Sequence, residues 1–196
     1  MMDTATSKIA VVRGGSSHEV QDAFRAFVER WRPSARLAGL IAESHGFSDR
    51  ACSAGFLHNI ATEERFSIFQ DLGPGSTACH LDGVGALKAA AAVKKDIAAG
   101  CDLVLLSKFG KLEARGDGLF GAFKAAVDAH VPLLTSVSPA WEEPWKTLSR
   151  RSFAILSADP DEMSAWWQAI RETLSQKSHA SPAKATDLPH GSEVAR

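Results

Sequence analysis

The chain has 196 residues, of which 45% are hydrophobic and 23% are charged. This length and composition favour one globular domain and exclude a fibrous protein, and no segment reaches the roughly 20 apolar residues that a membrane-spanning helix needs. The 22 basic and 23 acidic residues nearly cancel, which predicts no nucleic-acid or membrane partner and limits any anion site to local charges. Three cysteines, together with an N-terminus that lacks an apolar signal core, predict a reducing cytoplasmic location.

The chain begins with the pattern of a strand, a glycine turn and a helix. Residues 8–12 form a short β-branched run, and the apolar residues that recur at spacings of three and four predict a helix ending before Pro33. The turn between them would present backbone N–H groups at a positive helix end, where an oxyanion or phosphate binds. We expect these ligand-binding residues in the turn: Arg13, Gly14, Gly15, Ser16, Ser17 and His18. A second interpretation stays open, because Ser16 and Glu19 also form a capping box that needs no ligand.

The following segment predicts a small antiparallel insertion. Residues 36–43 and 65–70 are typical of strands, and the polar, turn-rich stretch between them predicts a mobile connection in a β-ribbon. Asp82 then has the position of an N-cap for an alanine-rich helix that runs from Gly83 to about Ala99 and stops at Gly100.

The central feature of the sequence is an apolar run at residues 103–106, which predicts a strand buried in a parallel sheet and ending at Ser107. Ligands bind at the carboxyl ends of strands in open α/β sheets, so the residues behind this strand are candidates for a site. We expect ligand contacts from Ser107, Lys108, Gly110 and Lys111, and a catalytic role for Glu113.

Two more strands are expected at residues 131–137 and 153–157. Between them, Pro139 and Pro144 predict an irregular loop, with Trp141 and Trp145 exposed to whatever the loop covers. A capped helix should follow the last strand, and residues 176–196 are too polar and too poor in large apolar side chains to order themselves.

The element order predicts a three-layer α/β domain at residues 1–175, with a mainly parallel sheet like that of a P-loop nucleoside triphosphatase, a small antiparallel β-ribbon insertion and a disordered tail. The loops that follow the parallel strands should gather on one edge of the sheet. The residues expected on that edge are Arg13, His18, Lys108, Lys111, Glu113 and Trp141, with Asp71 and Cys79 nearby. This combination of cations and helix-start amides favours a small anionic ligand.

The stretches QDLGPGSTACHLD, LVLLSKFGKLEARGDGL and VPLLTSV resemble a bacterial family of proteins of unknown function. That family often lies beside molybdate-transport or nitrogen-fixation genes and is related to THEP-type nucleoside triphosphatases. The resemblance extends from Lys8 to Leu174, and its most specific piece is K-F-G-K-x-E at Lys108 to Glu113.

Two departures from the triphosphatase pattern bear on activity. Those enzymes carry D-E-x-G where this chain has Ser107 to Gly110, and they carry G-K-[ST] where it has Gly15 to His18. The resemblance therefore implies that both magnesium partners and the phosphate-binding lysine are missing from their usual places, which argues against triphosphate hydrolysis.

Three functions stay open. The first is a non-hydrolytic or weakly active protein that binds an oxyanion or nucleotide on a degenerate scaffold, with a link to molybdate metabolism implied by the resemblance. The second is a nucleoside triphosphatase or phosphotransfer enzyme, with Lys108 in place of the lost lysine, Glu113 as base or water-positioning group and Asp71 as magnesium ligand. The missing groups favour the first function and argue against an enzyme without excluding one.

The third function is a metal-handling protein that uses Cys52, His58, Cys79 and His80, whose spacings differ from those of closed zinc sites. A structural interpretation also remains, in which Lys111 and Glu113 are ordinary solvated loop charges. The sequence names no cofactor and leaves a homodimer open.

Overall fold

The computed structural model describes residues 7–46, 54–70 and 82–179, which form an α/β fold. The strands of the described residues are β1 (Ile9–Val12), β2 (Leu37–Ser44), β3 (Ala54–Asn59), β4 (Arg65–Ser67), β5 (Leu103–Phe109), β6 (Leu133–Val137) and β7 (Ala154–Leu156). The helices are α1 (Ser17–Trp31), α2 (Gly83–Ala99), α3 (Lys111–Ala114), α4 (Phe120–Asp128), α5 (Glu142–Leu148) and α6 (Pro160–His179), with a 3-10 turn at Pro139–Trp141. None of the helices in these ranges has the length and apolar character needed to cross a membrane.

The strands form one mixed sheet in the order β4-β3-β2-β5-β6-β1-β7. The five strands from β2 to β7 in this order are parallel, whereas β3 and β4 are antiparallel to their neighbours. The expected mainly parallel sheet with an antiparallel ribbon is therefore confirmed. The middle strand of that ribbon, β3, lies in the stretch predicted to be a connection. Its sequence, AGFLHN, contains no β-branched residue, so it carries little strand signal.

Helices cover both faces of the sheet and give the predicted three layers. On one face, α1 and α6 bury Phe24, Phe27 and Trp167 together with Leu103 and Leu105 of β5. On the opposite face, α2, α4 and α5 pack over Val104, Leu106 and Phe109 of the same strand. The strands of the centre are buried on both faces, which explains why β5 is a continuous apolar run.

The segment after β6 differs from its predicted form. Pro139 begins the 3-10 turn and Pro144 lies in the first turn of α5, where the missing N–H removes no helical hydrogen bond. The prediction of an irregular loop was therefore wrong. Trp145 was also predicted to be exposed, but its side chain is fully buried against Phe109, Phe123 and Phe153.

The carboxyl-terminal helix also extends beyond its predicted end. α6 continues to His179, past the expected start of the tail at residue 176. Residues 180–196 lie outside the described part of the chain.

Candidate functional site

A crevice lies beside β1, where the connections of neighbouring parallel strands leave the sheet on opposite faces. β1 lies between β6 and β7. The helix that follows β1 packs on one face of the sheet, and α5, which follows β6, contributes to the core on the other face. Neighbouring parallel strands whose connections leave to opposite faces open a crevice at their carboxyl ends. Here the crevice has a volume of about 510 Å³.

The crevice brings together six of the eleven residues predicted to bind a ligand. Its lining includes the predicted residues Arg13, Gly14, Gly15, Ser16, Ser17 and Lys108. It also includes residues that the sequence did not point to, notably Ser136, Ser138 and Glu142. Most of these groups are hydroxyls, backbone amides or cations, so the crevice is chemically suited to an anion.

The turn after β1 depends on two glycines. Gly14 and Gly15 have φ values of +82° and +74°, in the left-handed region where other residues are strained. The turn delivers Ser16 as the N-cap of α1, and the predicted capping box is present: the Ser16 hydroxyl accepts from the Glu19 amide, and the Glu19 carboxylate accepts from the Ser16 amide. The Ser16 amide lowers the pKa of Glu19 more than any other group, so this carboxylate stays ionised.

The capping box does not use all the donors of the helix start. Ser17 and His18 are the first two residues of α1, and amides at these positions have no acceptor within the helix. Ser17 lines the crevice. The His18 side chain, in contrast, does not line the crevice. It is 78% exposed and pairs with Asp22 at 2.6 Å. Both interpretations of this turn, as cap and as anion cradle, are therefore compatible with its geometry.

A β-bulge in β5 places Lys108. Leu106 is in register with Thr135 and Phe109 with Val137, so three steps along β5 match two along β6. Side chains alternate between faces in a regular strand, which would put Leu106 and Phe109 on opposite faces. The extra residue instead lets both pack in the same core, and Lys108 is left exposed at the crevice. β5 therefore does not end at Ser107 as predicted, and the bulge re-aims its polar residue.

Two side chains hold the bulge through the carbonyl oxygen of Ser107. Gln21 Nε2 donates to this oxygen at 3.2 Å and Ser136 Oγ donates to it at 2.8 Å. The other end of the Gln21 amide accepts from the backbone N–H of Ala42 at 2.9 Å. Ser107 itself is buried, so the structure places this predicted ligand residue beneath the crevice, where its carbonyl is already bonded twice.

An ion-pair network forms one wall of the crevice. Arg13 contacts Glu142 at 3.1 Å, and Lys146 contacts the same carboxylate oxygen at 3.0 Å. Lys146 also contacts Glu143 at 2.8 Å. Lys108, in contrast, forms no ion pair or hydrogen bond within residues 7–46, 54–70 and 82–179. It is the cation of the crevice lining that this part of the chain leaves without a partner.

The remaining predicted residues near β5 do not line the crevice. Lys111 is exposed at the start of α3, and Gly110 is the N-cap of that helix. Trp141 is half-buried and packs against the core formed with α4 and α5. These three positions follow the strand ends as expected, but α3 and the 3-10 turn carry them away from the crevice lining.

Glu113 has a structural environment. Its side chain is buried, and its two carboxylate oxygens accept from the backbone amides of Gly110 at 2.9 Å and Leu119 at 3.0 Å. The carboxylate thus caps α3 and ties it to the start of α4. Its proposed part in catalysis stays a prediction, and so does that of Asp71, which lies outside the described residues.

The metal-site hypothesis stays largely outside the structure. Cys52, Cys79 and His80 are not among the described residues, and His58 lies 3.8 Å from Glu43. Within the described ranges, no group of three or more histidine, cysteine, aspartate or glutamate side chains is arranged to hold a metal ion.

Sequence reasoning overlooked Gln21, Ser136, Ser138 and Glu142. The sequence signal for Gln21 is its position, because it is a polar residue beside the apolar stripe of α1. The structure shows that it is buried there. Ser136 and Ser138 follow the apolar part of β6, at a strand end where ligand groups are expected. Glu142 carries no such signal, because only the folding of residues 139–148 into helical turns brings it to the crevice.

Comparison with known proteins places the chain in a family. Residues 9–166 match a family described as Protein of unknown function (DUF2478). The chain belongs to this family. No solved structure matches the chain.

One curated relative is also similar. It is the Molybdenum import ATP-binding protein ModC 2 of Bradyrhizobium diazoefficiens, 32% identical over 138 residues. The match covers 70% of this chain and only 15% of the relative. Together with the family match, it supports a P-loop NTPase-like relationship.

Proposed function

We propose that the chain is a non-hydrolytic or weakly active protein that binds an oxyanion, or the phosphate group of a nucleotide, in the crevice beside β1. The observation that carries this proposal is the pairing of an unpartnered lysine with a helix start. Lys108 is raised into the crevice by the β5 bulge, and the same crevice is lined by Gly14, Gly15 and Ser17.

The electrostatics of the crevice support an anion. The start of α1 carries a partial positive charge from its unsatisfied amides, and a lysine ammonium facing it is repelled. An anion between the two replaces this repulsion with attraction on both sides. Arg13 adds a further donor, although Glu142 already compensates its charge.

The contacts of Glu113 support binding without efficient hydrolysis. Magnesium-dependent phosphoryl transfer needs a carboxylate or hydroxyl on the metal and a group that orients water. Both oxygens of Glu113, the predicted catalytic carboxylate, accept hydrogen bonds from backbone amides. The similarity to a molybdenum import ATP-binding protein supports a role connected with that transport, in which this chain would sense or hold a phosphate-bearing ligand.

The test compares two neighbouring lysines. Lys108→Ala removes the crevice cation, whereas Lys111→Ala removes an exposed lysine that does not line the crevice. Calorimetric titration with inorganic phosphate and ATP should show that Lys108→Ala weakens binding by about 1.5–3 kcal/mol, the worth of a charge-assisted hydrogen bond, with an unchanged melting temperature. Lys111→Ala should bind like the wild type. Equal affinity in all three proteins would contradict the proposal.

A further inference from the structure

A carboxylate lies inside the crevice assigned above to an anion. Glu142 lines the crevice, and one of its oxygens, Oε1, contacts both Arg13 and Lys146. The side chain keeps 34% of its surface exposed while it lines the crevice, so the carboxylate is accessible to a ligand there.

The ionisation of this group decides what it can bind. Hydrogen bonds from Lys146 and from Arg13 lower the pKa of Glu142, which keeps the carboxylate charged at neutral pH. A charged carboxylate only accepts hydrogen bonds. It therefore repels a ligand oxygen that has no hydrogen, and it forms a short charge-assisted bond with a ligand oxygen that carries one.

We infer that Glu142 is the specificity-determining residue of the crevice, and that it selects oxyanions bearing a hydroxyl over oxyanions bearing none. Inorganic phosphate keeps at least one proton at neutral pH, whereas sulfate and molybdate keep none. Arg13 and Lys108 attract all three ions, so the discrimination comes from the carboxylate. The inference rests on the proposed function, and it narrows the ligand to oxyanions that keep a hydroxyl at neutral pH, such as hydrogen phosphate, and excludes free molybdate.

The charge of the ligand is held constant in the decisive comparison. At about pH 8 inorganic phosphate is mainly the hydrogen phosphate dianion, which has the charge and nearly the size of sulfate. Any preference between the two then reports the ligand hydroxyl. Specificity of this kind arises from an unfavourable contact with the wrong ligand as much as from a favourable one with the right ligand.

The experiment measures the affinities of wild type, Glu142→Gln and Glu143→Gln for phosphate, sulfate and molybdate by calorimetry. Glu143 is the matched control, because it is adjacent, also pairs with Lys146 and does not line the crevice. The wild type and Glu143→Gln should bind phosphate at least about tenfold more tightly than sulfate. Glu142→Gln should lose this preference, chiefly by binding sulfate and molybdate more tightly, because an amide donates as well as accepts.

The outcomes separate this inference from the function on which it rests. If phosphate and sulfate bind the wild type equally, or if Glu142→Gln keeps the wild-type preference, the inference is wrong, while binding that is sensitive to Lys108→Ala still supports the proposed function. If no oxyanion binds the wild type, both are wrong. The wild-type comparison needs no variant, so an unstable Glu142→Gln protein does not remove the test.

Discussion

The sheet carries one cavity at its amino edge, where the parallel strands begin, and one at its carboxyl edge, where they end. Cationic side chains line part of each cavity. The cavity at the amino edge has a volume of about 400 Å³ and is lined by Lys8, Asp102 and Arg171 among others. The crevice at the carboxyl edge has a volume of about 510 Å³ and contains Arg13 and Lys108. The two cavities differ in what their cations contact.

At the amino edge the cations contact groups of the fold itself. Lys8 donates to the carbonyl oxygen of His130 at 3.1 Å, and the guanidinium of Arg171 lies 5.4 Å from the centre of the Trp31 ring. At the carboxyl edge Lys108 contacts no partner within the described ranges. Arg13, the other cation of that crevice, pairs with Glu142, so the two edges differ in Lys108, the cation that we propose for a ligand.

The largest expected effect is that of removing Glu113, a charged group beyond the carboxyl end of β5 that, unlike Lys108, contacts the fold itself. Replacing Glu113 by alanine should lower the free energy of unfolding by about 4 kcal/mol, because two backbone amides lose a buried, charged acceptor. Urea unfolding followed by circular dichroism measures this change. If Glu113 instead served catalysis alone, the variant would keep the wild-type unfolding free energy.

Much of this architecture could be predicted from the sequence, and the site could be predicted only in part. The buried run of β5 and the caps of α1 and α2 are local signals, so strands, helices and the parallel sheet followed from them. The bulge in β5 depends on register with β6, which no local pattern of Ser107 to Phe109 reveals. The contacts of Glu113 with the amides of Gly110 and Leu119 depend on how α3 and α4 meet, so its charge alone could not reveal them.

The next prediction tests whether Gln21 holds the bulge in β5. Gln21→Leu replaces the polar amide by an apolar group of similar size, so the Ala42 amide loses its acceptor and the Ser107 carbonyl loses one of its two donors. We expect a loss of about 2 kcal/mol in unfolding free energy and weaker phosphate binding, because Lys108 loses its fixed position. Urea unfolding and calorimetric titration give the two values.

Gln21→Glu is a second variant at that position. It keeps an acceptor for the Ala42 amide, but it loses the donor to Ser107 and adds a negative charge at a buried position. If either variant loses stability but binds phosphate with wild-type affinity, the position of Lys108 does not depend on Gln21.

A smaller effect is expected at the amino edge. Partial burial disfavours the charge of Asp102, but hydrogen bonds from the backbone and side chain of Arg36 outweigh it and lower the pKa of this carboxyl. Asp102→Asn should cost about 1 kcal/mol at neutral pH and leave phosphate affinity unchanged. A loss of phosphate affinity in this variant would break the distinction between the two edges.

The pH dependence of that cost follows from the direction of the shift. Because the pKa is lower in the folded state, the contribution of Asp102 is complete above the ordinary value of 3.8 and disappears as the pH falls through the folded value. Urea unfolding of wild type and Asp102→Asn across this acidic range should show their difference shrinking. A difference that grows on acidification would contradict the assignment.

The smallest effect concerns the thiol of the amino-edge cavity. Burial, reinforced by the charge of Asp102, raises the pKa of Cys101 to about 11, so little thiolate forms at neutral pH. Alkylation of Cys101 by iodoacetamide at about pH 8 should be at least about tenfold slower in the folded protein than in urea. Peptide mass spectrometry measures both rates, and equal rates would show that this cavity does not suppress the thiolate.

The central claim is that an anion binds at the carboxyl edge, between Lys108 and the start of α1. Titration of isotopically labelled protein with inorganic phosphate, followed by amide chemical shifts in NMR spectra, tests it most directly. The account predicts saturable shifts at Gly14, Gly15 and Ser17, with no change at Cys101 or Asp102. Shifts confined to the amino edge, or none at the Gly14-Gly15 turn at saturating phosphate, would contradict it.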